Sequence, residues 1–113
     1  MTIYHSLCPF ALPRIARIRK REGRCYELAA RGALDHPEWT LVHGALLLTG
    51  IGHAWLVRDG WVYDAVKDKV YNAEHYAALT GARPFVSFSG GMETAQAMRL
   101  WRHWGPWHDV DVV

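Results

Sequence analysis

Asp59-Gly60 separates two strand-like segments and is the strongest short-range folding signal in this chain of 113 residues. An Asp-Gly pair between alternating apolar residues favours a two-residue hairpin turn, because both turn positions need a positive φ. The predicted strands cover residues 53–58 and 61–66. The centre of the chain is therefore expected to form an antiparallel hairpin.

The length of this turn decides which side chains share a face of the hairpin. A two-residue loop pairs Arg58 with Trp61 and so places Trp55 opposite Asp64. His53 and Asp64 are then diagonal neighbours on one face, typically about 7–8 Å apart between backbone positions. A three-residue loop would shift the pairing by one residue and separate them onto opposite faces. The register thus predicts that this imidazole and this carboxylate can meet.

Two further helices are predicted before the hairpin, and shorter strands and helices are predicted on both sides of it. Helices are predicted at 14–21, 24–33, 73–79 and 92–104, and strands at 2–4, 40–48, 70–72 and 84–89. Helices followed by strands in series favour an α+β domain with helices packed on an antiparallel sheet. A chain of this length forms one domain, so residues 1–113 are treated as a single unit.

Composition restricts the partners and the cellular compartment. Half of the residues are hydrophobic and the net charge is only +2, which indicates a globular chain and does not by itself indicate a nucleic-acid partner. Basic residues crowd between positions 14 and 24, either as a solvated helix face or as a contact for an acidic partner. No apolar stretch is long enough for a membrane span. Two cysteines and no signal-peptide pattern predict a cytoplasmic protein.

Cys25 opens the second predicted helix and is the candidate nucleophile. The helix dipole and the free N–H groups of a first turn favour a thiolate, and they can stabilise an oxyanion. The imidazole of His53 would deprotonate the thiol, and Asp64 would fix the tautomer of that imidazole. Tyr4, Trp39 and His43 are equally placed as a second oxyanion donor.

The motifs around these residues resemble the transglutaminase-like branch of the papain-like cysteine protease superfamily. They are Gly-Arg-Cys-Tyr-Glu-Leu-Ala at 23–29, Leu-Val-His-Gly at 41–44, Gly-His-Ala-Trp-Leu-Val at 52–57 and Gly-Trp-Val-Tyr-Asp at 60–64. The resemblance implies a nucleophile helix packed on an antiparallel sheet, with Cys25, His53 and Asp64 as nucleophile, base and orienting acid. It also implies cleavage, hydrolysis or transfer at amide or thioester bonds through an acyl-enzyme. Ala-Val follows Asp64 where a proline is common in the family, and the chain is short for it.

These observations predict a cysteine-dependent hydrolase or acyltransferase acting on an amide bond of a protein or peptide. Trp39 and Trp55 are predicted substrate-binding walls of the site. No cofactor is expected, and the spacing of His5 and Cys8 is a poor match to a zinc site. Hydrolysis, deamidation and amine transfer stay open, as does the oligomeric state.

Four alternatives compete with this interpretation. Cys25 could be a small buried hydrophobic residue, as free cysteines often are. His43 could be the base instead of His53, although its sequence context offers no obvious carboxylate. The papain-like scaffold could also be inactive and serve as a protein-binding or inhibitory module, using the basic cluster and the tryptophan-rich C-terminal region. Nucleic-acid binding is a further function class, weaker than both the enzyme and the binding module.

Overall fold

The computed structural model describes residues 7–15, 18 and 20–107, which form an α+β domain. Its helices are α1 (Cys25–Asp35), α2 (Ala73–Thr80) and α3 (Gly90–Trp101). Its strands are β1 (Thr40–Leu46), β2 (Ile51–Arg58), β3 (Trp61–Asp64), β4 (Lys69–Asn72) and β5 (Ala82–Phe88). The strands make one antiparallel sheet in the order β4-β3-β2-β1-β5. The predicted α+β class and antiparallel sheet are confirmed.

The central hairpin has the predicted two-residue turn. Arg58 pairs with Trp61, and the register continues to Leu56 opposite Tyr63. Asp59 and Gly60 have φ values of 46° and 85°, so both occupy the left-handed region that this turn requires.

Strand β3 is shorter than predicted and ends at Asp64 instead of residue 66. The carboxylate of Asp64 accepts the backbone N–H groups of Val66 and Lys67 at 3.0 and 3.2 Å. A side chain that captures the next backbone donors turns the chain away from the ladder, as in an Asx-turn. The same residue therefore ends the strand and supplies a candidate site carboxylate.

The helices cover the two faces of the sheet unequally. Helices α1 and α3 pack together on one face, where Leu28, Ala54 and Leu56 belong to the larger core cluster. Small residues in α1 allow this close approach, since a Cβ on Gly32 would lie 2.8 Å from Leu56 Cδ1. Helix α2 covers the other face, over a smaller core cluster that includes Trp55 and Tyr76. The side chains of the central hairpin thus alternate between two cores.

The segment before α1 differs from the sequence prediction, because its described residues between 14 and 21 are not helical. Arg14 pairs with Asp68 at 2.9 Å, and Arg21 donates to the carbonyl of Ala65 at 2.6 Å. These bonds hold Arg14 and Arg21 against the turn after β3, so these two side chains bind a distant part of the chain and do not line a helix face. Residues 16, 17 and 19 of the predicted helix lie outside the described residues.

Several other bounds move by a few residues. Strand β1 ends at Leu46, whose carbonyl accepts the N–H groups of Thr49 and Gly50 and so closes a turn. Helix α3 ends at Trp101 instead of residue 104, because Arg102 adopts a left-handed φ of 60°. The strand predicted at 2–4 and the C-terminal tail from 109 lie outside the described residues. None of the helices in the described part of the chain is long and apolar enough to span a membrane.

Candidate active site

Asp64 and His53 form a buried pair on the α2 side of the sheet. His53 Nε2 lies 3.1 Å from Asp64 Oδ2, and the two side chains are 9% and 1% exposed. An ionised carboxylate can only accept hydrogen bonds, so the Nε2–H of His53 donates to Asp64. The pair therefore leaves His53 Nδ1 as the ring nitrogen directed to other partners.

Asp64 is held by more bonds than the one to His53. The hydroxyl of Tyr76 donates to the same Oδ2 at 2.8 Å, while the other oxygen accepts the two backbone N–H groups after β3. Burial would raise the pKa of Asp64, but the hydrogen bonds from His53, Tyr76 and the Lys67 backbone outweigh it and lower that pKa. Asp64 is thus an ionised carboxylate in a fixed orientation.

The thiol of Cys25 belongs to the same cluster. Cys25 is a free, half-buried residue at the first position of α1. Burial lowers the pKa of His53, but hydrogen bonds with Asp64 and then with Cys25 outweigh it and raise this pKa to about 9. The imidazole is therefore close to both a carboxylate and a thiol, and it holds a proton at neutral pH.

The end of β3 explains how a helix on one face reaches an imidazole on the other. The β2–β3 ladder stops at the pair Leu56–Tyr63, so His53 lies three residues beyond its last pair. Helix α1 packs on β2, and its N-terminus meets His53 past the end of that ladder. Trp55 stacks on the imidazole at 6.1 Å between ring centroids, which restricts the orientation of the ring.

The N-terminus of α1 offers backbone donors at the sulfur. Arg24 at the N-cap makes no side-chain cap and instead pairs with Glu27 at 2.8 Å. The first helical bond runs from Leu28 N to Arg24 O at 2.9 Å, so the N–H groups of residues 25–27 precede the helical ladder. Free N–H groups beside a nucleophile are the usual means of stabilising an oxyanion.

The two tryptophans predicted to bind substrate have different positions. Trp39 is fully buried in the cluster beneath α1 and packs edge-on against Phe10, with ring centroids 6.2 Å apart. That burial gives it no surface to present to a substrate in this structure. Trp55 is also buried, but it contacts His53 and Tyr76 and lines a groove of about 460 Å³ on the α2 face.

His43, the rival base, lies on the opposite face of the sheet from His53. Its strand position pairs with Ala54, and its ring is fully buried between Tyr26 and Trp107. His43 Nδ1 accepts the backbone N–H of Trp107 at 3.1 Å. It therefore packs in the core instead of joining Cys25, which also removes it as the second oxyanion donor. Tyr4, a further donor candidate, lies outside the described residues.

Two tyrosines near the site were missed by sequence reasoning. Tyr76 on α2 bonds Asp64, and no motif in the sequence connects these two residues. Tyr26 follows Cys25, and its hydroxyl lies where a Cβ on Gly52 would come within 2.6 Å. That close approach explains the glycine before His53 and was accessible only from the packing of α1 on β2.

Within the described residues, no three His, Cys, Asp or Glu side chains group so that they could hold a metal ion. Comparisons of the chain with protein-family models, curated proteins and solved structures found no match. The site is therefore interpreted from its own geometry.

Proposed function

We propose that this protein is a cysteine-dependent hydrolase or acyltransferase that acts on an amide bond of a protein or peptide. The observation that supports this proposal is the hydrogen bond of His53 to Asp64 together with the effect of the nearby Cys25 thiol on the pKa of His53. A thiol, an imidazole and a carboxylate in that order are the parts of a nucleophilic triad.

In the proposed reaction, the Cys25 thiol has already passed its proton to His53 in the resting site, and the thiolate attacks the carbonyl carbon of the amide. The N–H groups at the start of α1 stabilise the oxyanion that forms. The protonated His53 then gives its proton to the leaving amine as the C–N bond breaks, which leaves a thioester on Cys25. Water or a second amine, deprotonated by His53, attacks the thioester and releases an acid or a new amide together with the free thiol.

We further propose that the fold is the transglutaminase-like variant of the papain-like core. The order of parts agrees with that assignment: the cysteine at a helix start, the histidine on a sheet strand and the aspartate on the next strand. The reaction requires a reduced thiol at Cys25, which is why a cytoplasmic location is proposed with it.

A second candidate function is a protein-binding or inhibitory module built on an inactive scaffold. The observation that favours it is an apolar surface on and after α3, where Met92, Leu100, Trp101 and Trp104 are exposed. Large exposed apolar surfaces often mark contacts with partner proteins. The two functions differ in whether the thiol of Cys25 is activated.

Alkylation of Cys25 by iodoacetamide, measured against pH, separates these two functions. The experiment uses a Cys8→Ser background, so that Cys25 is the reacting thiol. At about pH 6 we expect Cys25 to react at least about tenfold faster than N-acetylcysteine, because the imidazolium of His53 stabilises the thiolate. His53→Ala should abolish this low-pH reaction, whereas His103→Ala, at an exposed histidine after α3, should leave it unchanged.

A rate for Cys25 that follows N-acetylcysteine across the pH range would contradict the enzyme proposal. So would a low-pH reaction that survives in His53→Ala, or a folded protein whose Cys25 does not react. Circular dichroism of each variant establishes that the fold is retained.

A further inference from the structure

The turn between β1 and β2 is apolar where turns are usually polar. Leu47 and Leu48 occupy it and are 56% and 69% exposed, and Ile51 at the start of β2 is 53% exposed. Turn positions generally carry Gly, Asn, Asp or Ser, and clustered exposed apolar side chains often mark an interaction site. Leu79 near the end of α2 is also 53% exposed.

These side chains stand on a turn that is fixed to α2. The N–H of Leu47 donates to Gly81 O at 3.0 Å, and the N–H of Leu48 donates to Thr80 O at 3.2 Å. Gly81 has a φ of 70°, and a Cβ there would lie 2.9 Å from Leu48 N, so the two segments are in direct contact. The turn and the end of α2 are therefore bound to each other through their backbones, and both carry exposed leucines. We call Leu47, Leu48, Ile51 and Leu79 the aliphatic shelf.

The aliphatic shelf borders the candidate active site. Ile51 is two residues before His53 on β2, so the two side chains point to the same face about 7 Å apart along the strand. Between them, Gly52 contacts the hydroxyl of Tyr26, the residue after Cys25. A substrate held at the thiol can therefore extend from His53 onto Ile51 and the leucines beyond it.

We propose that the aliphatic shelf binds the side chains that flank the scissile amide, and that the substrate is a polypeptide with aliphatic or aromatic residues at those positions. This inference rests on the proposed function and adds the class of substrate. Three features support it: all four side chains are apolar and uncharged, the surface is continuous with the site, and it is held rigid by backbone bonds. A rigid apolar surface binds apolar side chains without an ordering cost in the protein.

The test uses two peptidyl chloromethyl ketones that differ in their flanking residues, one dileucyl and one diaspartyl. In each, the Cys25 sulfur forms a thioether with the methylene carbon and chloride leaves. We expect the dileucyl reagent to label Cys25 at least about tenfold faster, as burial of one leucyl side chain would give. Leu48→Asp should reduce this ratio about tenfold or more, while the rate with iodoacetamide stays unchanged.

Leu100→Asp is the matched control, because Leu100 is 77% exposed on α3, outside the aliphatic shelf. Its ratio of dileucyl to diaspartyl labelling should equal that of the wild type. Equal labelling by the two reagents, with rapid low-pH alkylation by iodoacetamide, would overturn the aliphatic shelf and leave the proposed function standing. Failure of every reagent to label Cys25 would remove both. A dimer in sedimentation that dissociates in Leu48→Asp would assign the surface to a second copy of the chain and overturn the proposal.

Discussion

Raising the pH from about 6.5 to about 9 should remove the stabilisation that protonated His53 gives to the fold. The pKa of His53 is raised from 6.5 to about 9: burial opposes the charged form, and the hydrogen bonds with Asp64 and Cys25 outweigh burial. Because the folded-state pKa is the higher one, this contribution is complete below about pH 6.5 and is lost as the pH rises through about 9. At 1.36 kcal/mol per pKa unit, the full loss is about 3 kcal/mol in the free energy of unfolding.

Urea unfolding at a series of pH values between about 6 and about 10 measures this effect. His53→Gln is the comparison, since it keeps a polar side chain of similar size without a titrating ring. We expect the free energy of unfolding of the wild type to fall by about 3 kcal/mol more than that of His53→Gln over this range. Loss of the imidazole also changes the surroundings of the Cys25 thiol, so the two proteins are compared again in a Cys25→Ser background, where the difference between the curves reports His53.

Cys25→Ser gives an independent check of the contact between the thiol and the imidazole. Cys25 contributes to the raised pKa of His53, so its loss should move the fall in stability to lower pH. Proton NMR of the His53 ring should show the same displacement of its titration. Parallel curves for Cys25→Ser with and without His53→Gln between about pH 6.5 and 9 would refute the reasoning, because without the thiol they would mean that His53 has the same pKa in the folded and unfolded states.

Two further predictions concern residues that support the site. Tyr76→Phe removes the hydroxyl that donates to Asp64 at 2.8 Å. It should lower the free energy of unfolding by about 1–2 kcal/mol and shift the pH profile of Cys25 alkylation. An unchanged pH profile would mean that Tyr76 has a packing role alone. Gly44→Ala should destabilise the fold by about 3 kcal/mol, because its Cβ would collide with the backbone of Arg83 and lie 2.8 Å from Trp55 Cη2. Gly91→Ala in α3 is the control, because the new Cβ would lie 3.4 Å from its nearest neighbour, Pro37 Cβ. It should be neutral or stabilising by about 0.5–1 kcal/mol. An equal loss in the free energy of unfolding for both alanine variants, measured by urea unfolding, would contradict this prediction.

The register of the central hairpin was predictable because its determinants are local. Asp59-Gly60 sets a two-residue turn, and the period of two along each strand then orders the side chains by face. This was enough to place His53 and Asp64 within reach of each other. The position of Cys25 at the start of a helix followed in the same way from a glycine and the spacing of apolar residues.

The failures of prediction fall where a side chain bonds to a distant part of the chain. The segment from 14 to 21 has arginines and isoleucines at helical spacing, yet Arg14 and Arg21 bond to the turn after β3. Those partners lie more than 40 residues away, so no local window of sequence contains them. Trp39 was predicted to be a wall of the site because its residue type fits that role. Its burial depends on packing against distant parts of the chain, which no local pattern shows.

The sequence by itself determined the hairpin, its register, and the pairing of an imidazole with a carboxylate on one face. Only the tertiary structure decided that α1 packs on β2, that its thiol lies close to that imidazole, and that Tyr76 donates a hydrogen bond to Asp64. The physical reason is the sequence separation over which each interaction acts. Turns and strand periodicity depend on neighbours in the chain, whereas the packing of a helix against a sheet depends on the shape and burial of the whole domain.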